Sequence, residues 1–228
     1  MLQTGRLQYR ACWDLQRTLF DRCVRGSGPN TLILTEHDPV YTFGTSSDPH
    51  HLLASEGEIQ QLGATVVQTD RGGDVTFHGP GQLVAYPIFS LTDFRTDLHW
   101  YLRQLEEVVI RTLAAFGVVG SRESGYTGVW VSGEKICAIG VKTSRWVTMH
   151  GLALNLSTDL AFFRRIIPCG IFERGVTSLE EVLATTPPLA EVSRELVREF
   201  GEVFEANMIA SAESEGGVIG ESLERTTA

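Results

Sequence analysis

The chain has 228 residues, 43% of them apolar and 21% charged, which suits a soluble globular protein long enough to bury a sizeable core. A formal net charge of −9 argues against a nucleic-acid surface. No apolar stretch is fit for a signal peptide or a membrane span, so a cytoplasmic protein without membrane partners is expected.

Residues 11–25 predict a helix with Leu15, Leu19 and Cys23 at i+4 spacing and Gly26 as its stop. Strands are expected at 31–37, ended by Asp38-Pro39, then at 64–69 and 82–89. Pro87 suggests an edge position or a bulge in the last of these. Residues 97–116 predict the clearest helix. Asp97 can cap it, Leu98, Leu102, Leu105, Val109, Leu113 and Phe116 form its apolar stripe, and Gly117 stops it. A hairpin follows, 127–131 and 135–143 around Ser132-Gly133, then a strand at 146–156 interrupted by His150-Gly151. A last amphipathic helix covers 189–204. One catalytic-size domain over 1–206 is expected, with residues 207–228 a flexible Ser/Glu/Gly-rich tail. The order of elements favours an α/β fold, a mixed β-sheet packed with helices, over a doubly wound parallel sheet.

Four cysteines, Cys12, Cys23, Cys137 and Cys169, form no C-x-x-C pair and read as reduced thiols. Cys12 and Cys23 would lie about 16 Å apart on one helix, too far to bridge, and suit the core. No Cys or His pair has zinc-site spacing, and His50 and His51 read as loop.

The densest cluster of special residues is RGGDVTFHGPGQLVAYP, residues 71–87. Adjacent glycines let a backbone approach a ligand or take up positive φ, and Gly-Pro-Gly forces a turn. The stretch reads as a pocket wall, although such loops also serve as structural turns. Lys135 opens the strand KICAIGVK, where alternation places Lys135, Cys137, Ile139 and Val141 on one side. The lysine then either reaches solvent from the strand end or sits in a pocket. Cys169, in IIPCGI, follows a proline that fixes the chain and precedes a glycine. It suits a nucleophile beside free backbone N–H groups, or equally a buried thiol in an aliphatic turn.

RGGDVTFHGPGQLVAYP, GVWVSGEKICAIGVKTSRWVTMHGLALNL and IIPCGI, in this order and spacing, resemble the lipoate–protein ligase B family of octanoyltransferases. HDPVYTFGTSSDPHHLL is similar to the family's N-terminal segment, and the likeness runs over about residues 5–185. The resemblance implies the biotin/lipoate protein ligase catalytic-domain fold. It also implies octanoyl transfer from octanoyl-acyl carrier protein to a lysine of lipoyl domains, through an acyl-thioester on the enzyme and without a cofactor or metal. The acceptors implied are the lipoyl domains of 2-oxoacid dehydrogenase complexes and the glycine cleavage H protein.

Carried over to this sequence, Cys169 is the expected nucleophile and Lys135 its catalytic partner. Arg71, Gly72, Gly73, Asp74, Val75, Thr76, Phe77 and His78 are expected to line the substrate site, with Ala138, Ile139, Gly140, Gly151, Leu152 and Ala153. Cys137 departs from the pattern, which favours a small apolar residue there. Alternation would place it on the Lys135 side, roughly 7 Å away, where it would compete for thiol reagents. Two other readings are an ATP-dependent lipoate or biotin ligase on the same fold, and a non-catalytic acyl-binding module. The loop here differs from the ligases' SGGGAVFHD and GRGRxG types, and neither alternative requires a nucleophilic cysteine.

Overall fold

A computed structural model describes residues 1–167 and 175–210. Its strands are β1 (Leu2–Leu7), β2 (Thr31–His37), β3 (Val40–Phe43), β4 (Thr65–Gln68), β5 (Thr76–His78), β6 (Gln82–Ile88), β7 (Gly128–Val131), β8 (Glu134–Ser144) and β9 (Val147–Asn155). Its α-helices are α1 (Tyr9–Val24), α2 (Glu56–Gln61), α3 (Leu98–Ala115), α4 (Leu179–Leu183) and α5 (Leu189–Phe204). A mixed six-stranded sheet runs in the order β1-β2-β6-β9-β8-β7, with β1 and β2 parallel and the other pairs antiparallel. A second sheet runs β4-β3-β5.

Alternation along the strands gives the large sheet two apolar faces. Leu32, Leu83, Leu152 and Leu154 face α3 and α5, where Leu105, Val109, Leu113, Leu196 and Phe200 are fully buried. Ile33, Val84, Tyr86 and Met149 face α1, packing on Cys12, Leu19 and Cys23. Of the expected α3 stripe, Leu105, Val109 and Leu113 are fully buried and Leu102 and Phe116 partly so, whereas Leu98 at its start is exposed. The Asp97 carboxylate caps the helix by accepting from the Trp100 N–H at 3.0 Å. Tyr41, Phe77 and Ile166 give the small sheet its own core. Of the expected tail, residues 207–210 fall among those described: Met208 packs on the α3–α5 core, and the Met1 ammonium donates to the Ile209 carbonyl at 2.7 Å.

Three expectations change. First, Pro87 is not on an edge, because β6 lies between β2 and β9 and Pro87 pairs with Leu32. The β6–β9 ladder runs only from Gln82 to Ala85. Beyond it the Thr148 hydroxyl donates to the Pro87 carbonyl at 2.8 Å and accepts from the Phe89 N–H at 3.0 Å. A side chain therefore satisfies the Pro87 carbonyl and the Phe89 N–H where the regular ladder stops at a proline, which has no N–H to continue it.

Second, β9 is continuous through His150-Gly151, and His150 holds φ 61° within it. Third, Lys135 and Cys137 do not share a side. Val129 pairs with Cys137 but Trp130 pairs with Lys135, so Ile136 is an extra residue on β8. Such a bulge reverses the alternation. Cys137 turns into the α3–α5 core with no exposure, and Lys135 turns to the opposite face beside Trp130.

Candidate active site

On the Lys135 face, a cavity of about 590 Å³ opens between β8, β9, the 71–78 loop and the 125–127 segment. That volume suits a small-molecule ligand. Its floor is paved with small residues: Ala138 pairs with Ala153 and Gly140 with Gly151 across the β8–β9 ladder. Its walls are largely apolar, with Leu98, Leu102, Tyr126, Trp130 and Phe163 contributing.

The glycine loop lies flat on β8. The Gly72 N–H donates to the Val141 carbonyl at 2.9 Å, and a Cβ on Gly140 would stand 2.9 Å from the Gly72 carbonyl oxygen. On the other side, the Thr45 and Ser46 N–H groups donate to the Arg71 and Gly73 carbonyls at 2.9 and 3.2 Å. Gly44 has no room for a side chain, since its Cβ would lie 2.1 Å from the Gly73 oxygen. The buried Arg71 guanidinium locks the loop from within. It donates to the Thr42 carbonyl at 2.6 Å, to the Thr42 hydroxyl and to the Gly72 carbonyl.

Nearly every residue expected at the site lines this cavity. Arg71, Gly72, Gly73, Asp74, Val75, Thr76 and His78 do so from the loop, and Lys135, Ala138, Ile139, Gly140, Gly151, Leu152 and Ala153 from the large sheet. Phe77 is the exception. Its neighbours on β5 point to the cavity, so strand alternation sends its ring the other way. There it stacks on Phe162 at 4.3 Å between centroids and 10° between planes, beside Tyr41. Cys169 lies outside the described residues.

Lys135 is half-buried, with Nζ 4.9 Å from the centre of the Trp130 ring, a geometry that favours an ammonium. Both polar groups of its backbone bond to one segment: its N–H donates to the Gly175 carbonyl, and its carbonyl accepts from the Thr177 N–H, each at 3.0 Å. A buried polar chain supports the same segment. His78 Nδ1 donates to Gln82 Oε1 at 2.8 Å, Gln82 Nε2 donates to Asn155 Oδ1 at 2.9 Å, and Asn155 Nδ2 donates to the Thr177 carbonyl at 3.0 Å. Burial holds the His78 imidazole well below its ordinary pKa, so the ring is neutral at pH 7 and Nδ1 carries its proton.

A second polar group borders the cavity at His150. Its N–H donates to the buried Gln16 Oε1 at 3.0 Å, and its ring lies 6.1 Å from that of Trp13 on α1. His150 Nε2 donates to Asp70 Oδ1 at 2.7 Å, and Lys142 Nζ donates to Asp70 Oδ2 at 2.6 Å. Burial lowers the His150 pKa. The hydrogen bonds from His150 and then Lys142 hold the Asp70 carboxyl well below the usual carboxylate range. Both directions fit a neutral imidazole donating to an ionised carboxylate.

The three cysteines among the described residues are all buried. Burial pushes the Cys12 and Cys137 thiols up to about 12 and raises that of Cys23. Such thiols are unreactive at pH 7, so the expected competition from Cys137 does not arise. Among the described residues no cluster of His, Cys, Asp and Glu is placed to hold a metal ion, and no helix is long and apolar enough to cross a membrane. Trp130, Tyr126, Asn155, Gln82 and the Asp70–His150 pair escaped the sequence reading as site residues. Asn155 and Gln82 carried a signal in principle, as amide side chains that end β9 and open β6 beside aliphatic runs.

Residues 8–201 match the lipoyl protein ligase A/B catalytic domain. The chain is 56% identical over 202 residues to an octanoyltransferase of Rubrobacter xylanophilus, covering 88% of this chain and 90% of that one. It is 53% identical over 203 residues to an octanoyltransferase of Chloroflexus aurantiacus, covering 88% and 91%. The fold is similar to that of a bipartite lipoate protein ligase of Thermoplasma acidophilum, with a TM-score of 0.74 at 17% identity over 94% of this chain and 87% of that one. The chain belongs to the lipoyl protein ligase A/B catalytic-domain family, and it is an acyltransferase of that family.

Proposed function

We propose that this enzyme transfers an octanoyl group from octanoyl-acyl carrier protein to a lysine of lipoyl domains, through a thioester on Cys169. The observation that carries this reading is the state of the thiols. Three of the four cysteines are buried and unreactive, which leaves Cys169 as the candidate nucleophile. The backbone of Lys135 pairs with Gly175 and Thr177, six to eight residues beyond Cys169 in sequence, and this supports a Cys169–Lys135 partnership. Relatives more than half identical are named octanoyltransferases, and the Thermoplasma ligase is described together with its E2 lipoyl domain. One catalytic domain over residues 1–206 and a cytoplasmic setting, where thiols stay reduced, go with this reading.

A free thiol near pKa 8.5 is only about 3% ionised at pH 7. An ammonium beside it stabilises the thiolate. The Cys169 thiolate attacks the donor carbonyl, the carbon–sulfur bond to the carrier breaks, and Lys135 gives its proton to the departing carrier thiolate. Lys135 is then a neutral amine. The acceptor lysine, having lost its own proton to solvent, attacks the enzyme thioester as a neutral amine. Cys169 leaves as thiolate, Lys135 takes the proton released from the new amide nitrogen, and the starting ion pair is restored. A thioester already carries the acyl activation, so no nucleotide is consumed.

Incubation with octanoyl-carrier protein and no acceptor is expected to leave one octanoyl adduct on Cys169, mapped by mass spectrometry and discharged by a lipoyl domain. An adduct on another residue, or ATP-dependent pyrophosphate exchange with free octanoate, would sink the reading. The small-residue floor gives a second expectation. Ala138→Val should lower octanoyl transfer about tenfold by overpacking the cavity, while a butanoyl donor loses much less. Equal losses for both donors would mean that Ala138 does not limit the acyl chain.

A further inference from the structure

The segment between β3 and α2 makes hydrogen bonds in two directions. At its start, Thr45 and Ser46 hold the Arg71 and Gly73 carbonyls of the cavity loop. At its end, the His51 carbonyl accepts from the Ile167 N–H at 2.8 Å, and the Leu53 N–H donates to the Arg165 carbonyl at 2.8 Å. Ile167 stands two residues before Cys169 in the sequence. The side chain of His51 links the two ends, because its Nδ1 lies 2.5 Å from Asp74 Oδ2. Asp74 lines the cavity, is only 7% exposed, and uses its other oxygen to accept from the Val75 N–H at 2.7 Å.

We propose that His51 is a positioning residue for acyl transfer. Through its imidazole it fixes Asp74 and the glycine loop, and through its carbonyl it fixes Ile167, two residues before Cys169 in the sequence. The proposal rests on the reading of Cys169 as nucleophile. An ionised carboxylate only accepts hydrogen bonds, so Nδ1 carries the proton in this pair. An Asp–imidazole contact of this type holds a ring in one tautomer and orientation, and here the oriented ring belongs to a residue whose backbone is itself a bond partner. The turn at Pro49–His51 gives the ring a defined base: Asp48 caps it by accepting from the His50 N–H at 2.9 Å, and the Asp48 carbonyl accepts from the His51 N–H at 2.9 Å. Losing the imidazole therefore leaves one oxygen of a buried carboxylate without its side-chain donor, Oδ1 keeping the Val75 N–H, and removes the side-chain link between the cavity loop and residues 165–167. Misplacement of reacting groups by about 1 Å costs on the order of a hundredfold in rate.

The test uses His51→Ala, His51→Asn and Asp74→Ala in the full-length enzyme. Asparagine places an N–H donor where Nδ1 stands and has no second ring nitrogen. His51→Ala is expected to slow single-turnover acylation by octanoyl-carrier protein roughly 10- to 100-fold, with donor KM changed less than about threefold. His51→Asn should recover to within about threefold of wild type, and adding His51→Ala to Asp74→Ala should cost little more than Asp74→Ala alone. Amide hydrogen exchange gives a readout independent of the nucleophile: in His51→Ala, peptides covering 71–75 and 165–167 should both exchange faster, by about tenfold. Faster exchange in only one of them, an asparagine variant as slow as the alanine one, or multiplying losses in the double variant would overturn the proposal. An octanoyl adduct persisting in Cys169→Ala would overturn the nucleophile assignment instead, and the exchange result would stand apart from it.

Discussion

Cys169→Ser is expected to lower octanoyl transfer by about a thousandfold or more, while Cys137→Ala keeps activity within about threefold of wild type. A serine hydroxyl is far less ionised than a thiol at neutral pH, and the ammonium that would stabilise a thiolate cannot ionise it. Cys137 is different in kind. Its side chain packs among Val129, Leu154 and the α3–α5 core, its thiol is pushed up to about 12 by burial, and it faces away from Lys135. Alanine there removes one buried sulfur, so the cost falls on stability, about 1 kcal/mol, and is read in a urea midpoint and not in kcat. Both variants are measured with octanoyl-carrier protein and a lipoyl domain, alongside iodoacetamide labelling mapped by peptide. In the native enzyme at pH 7 the label should enter at Cys169 alone. Loss of activity in Cys137→Ala with a normal urea midpoint would show that the roles have been assigned wrongly.

The bulge at Ile136 shows where sequence reading reached its limit. Strict alternation along KICAIGVK puts Lys135 and Cys137 together, and one extra residue on β8 separates them. Nothing in the local composition announces that residue, because Ile136 is an ordinary strand former. Between β8 and β9 the expected strands leave a break at 144–145, but the type of turn there was not legible. Arg145 and Trp146 hold φ 52° and 61° there, without the Asn or Gly that usually signals such a turn. Ser132-Gly133, with φ 52° and 86°, carried that signal and was legible. The long amphipathic helices were legible because their apolar stripes repeat over four or more turns. Strand β3, four residues immediately after Asp38-Pro39, was not, since its pairing with β4 and β5 is entirely long-range. The cavity loop was legible through its glycines, whose reason is visible in Gly44 and Gly140 pressing against its backbone. The contribution of His51 was not, because two histidines in a polar stretch show neither the Asp74 contact nor the bond to Ile167.

Lys135→Ala is expected to reduce both half-reactions, by about a hundredfold or more, and Lys135→Arg to separate them. On the proposed mechanism, the alanine variant takes the cationic neighbour away from the thiolate. The Cys169 pKa, read from the pH dependence of alkylation, should rise toward the free-thiol value near 8.5, and acylation at pH 7 should fall accordingly. Acylation should recover as pH rises through that value, since ionisation then comes from solvent. Transfer should not recover in the same way, because the base that accepts the amine's proton is gone. Arginine keeps a positive charge but cannot give up its proton at accessible pH. Its guanidinium can still lie on the Trp130 face, which Lys135 Nζ now approaches to 4.9 Å from the ring centre. The backbone bonds to Gly175 and Thr177 belong to the main chain and survive either substitution. Lys135→Arg should therefore acylate within about tenfold of wild type, because the charge still holds the Cys169 thiolate and the departing carrier thiolate can take its proton from solvent. It should then stall as an octanoyl-enzyme that discharges about a hundredfold more slowly. Single-turnover mass spectrometry of the two steps reads this directly. Equal losses in acylation and discharge for the arginine variant, with the thiol pKa unchanged from wild type, would mean that one lysine does not serve as ammonium first and base second.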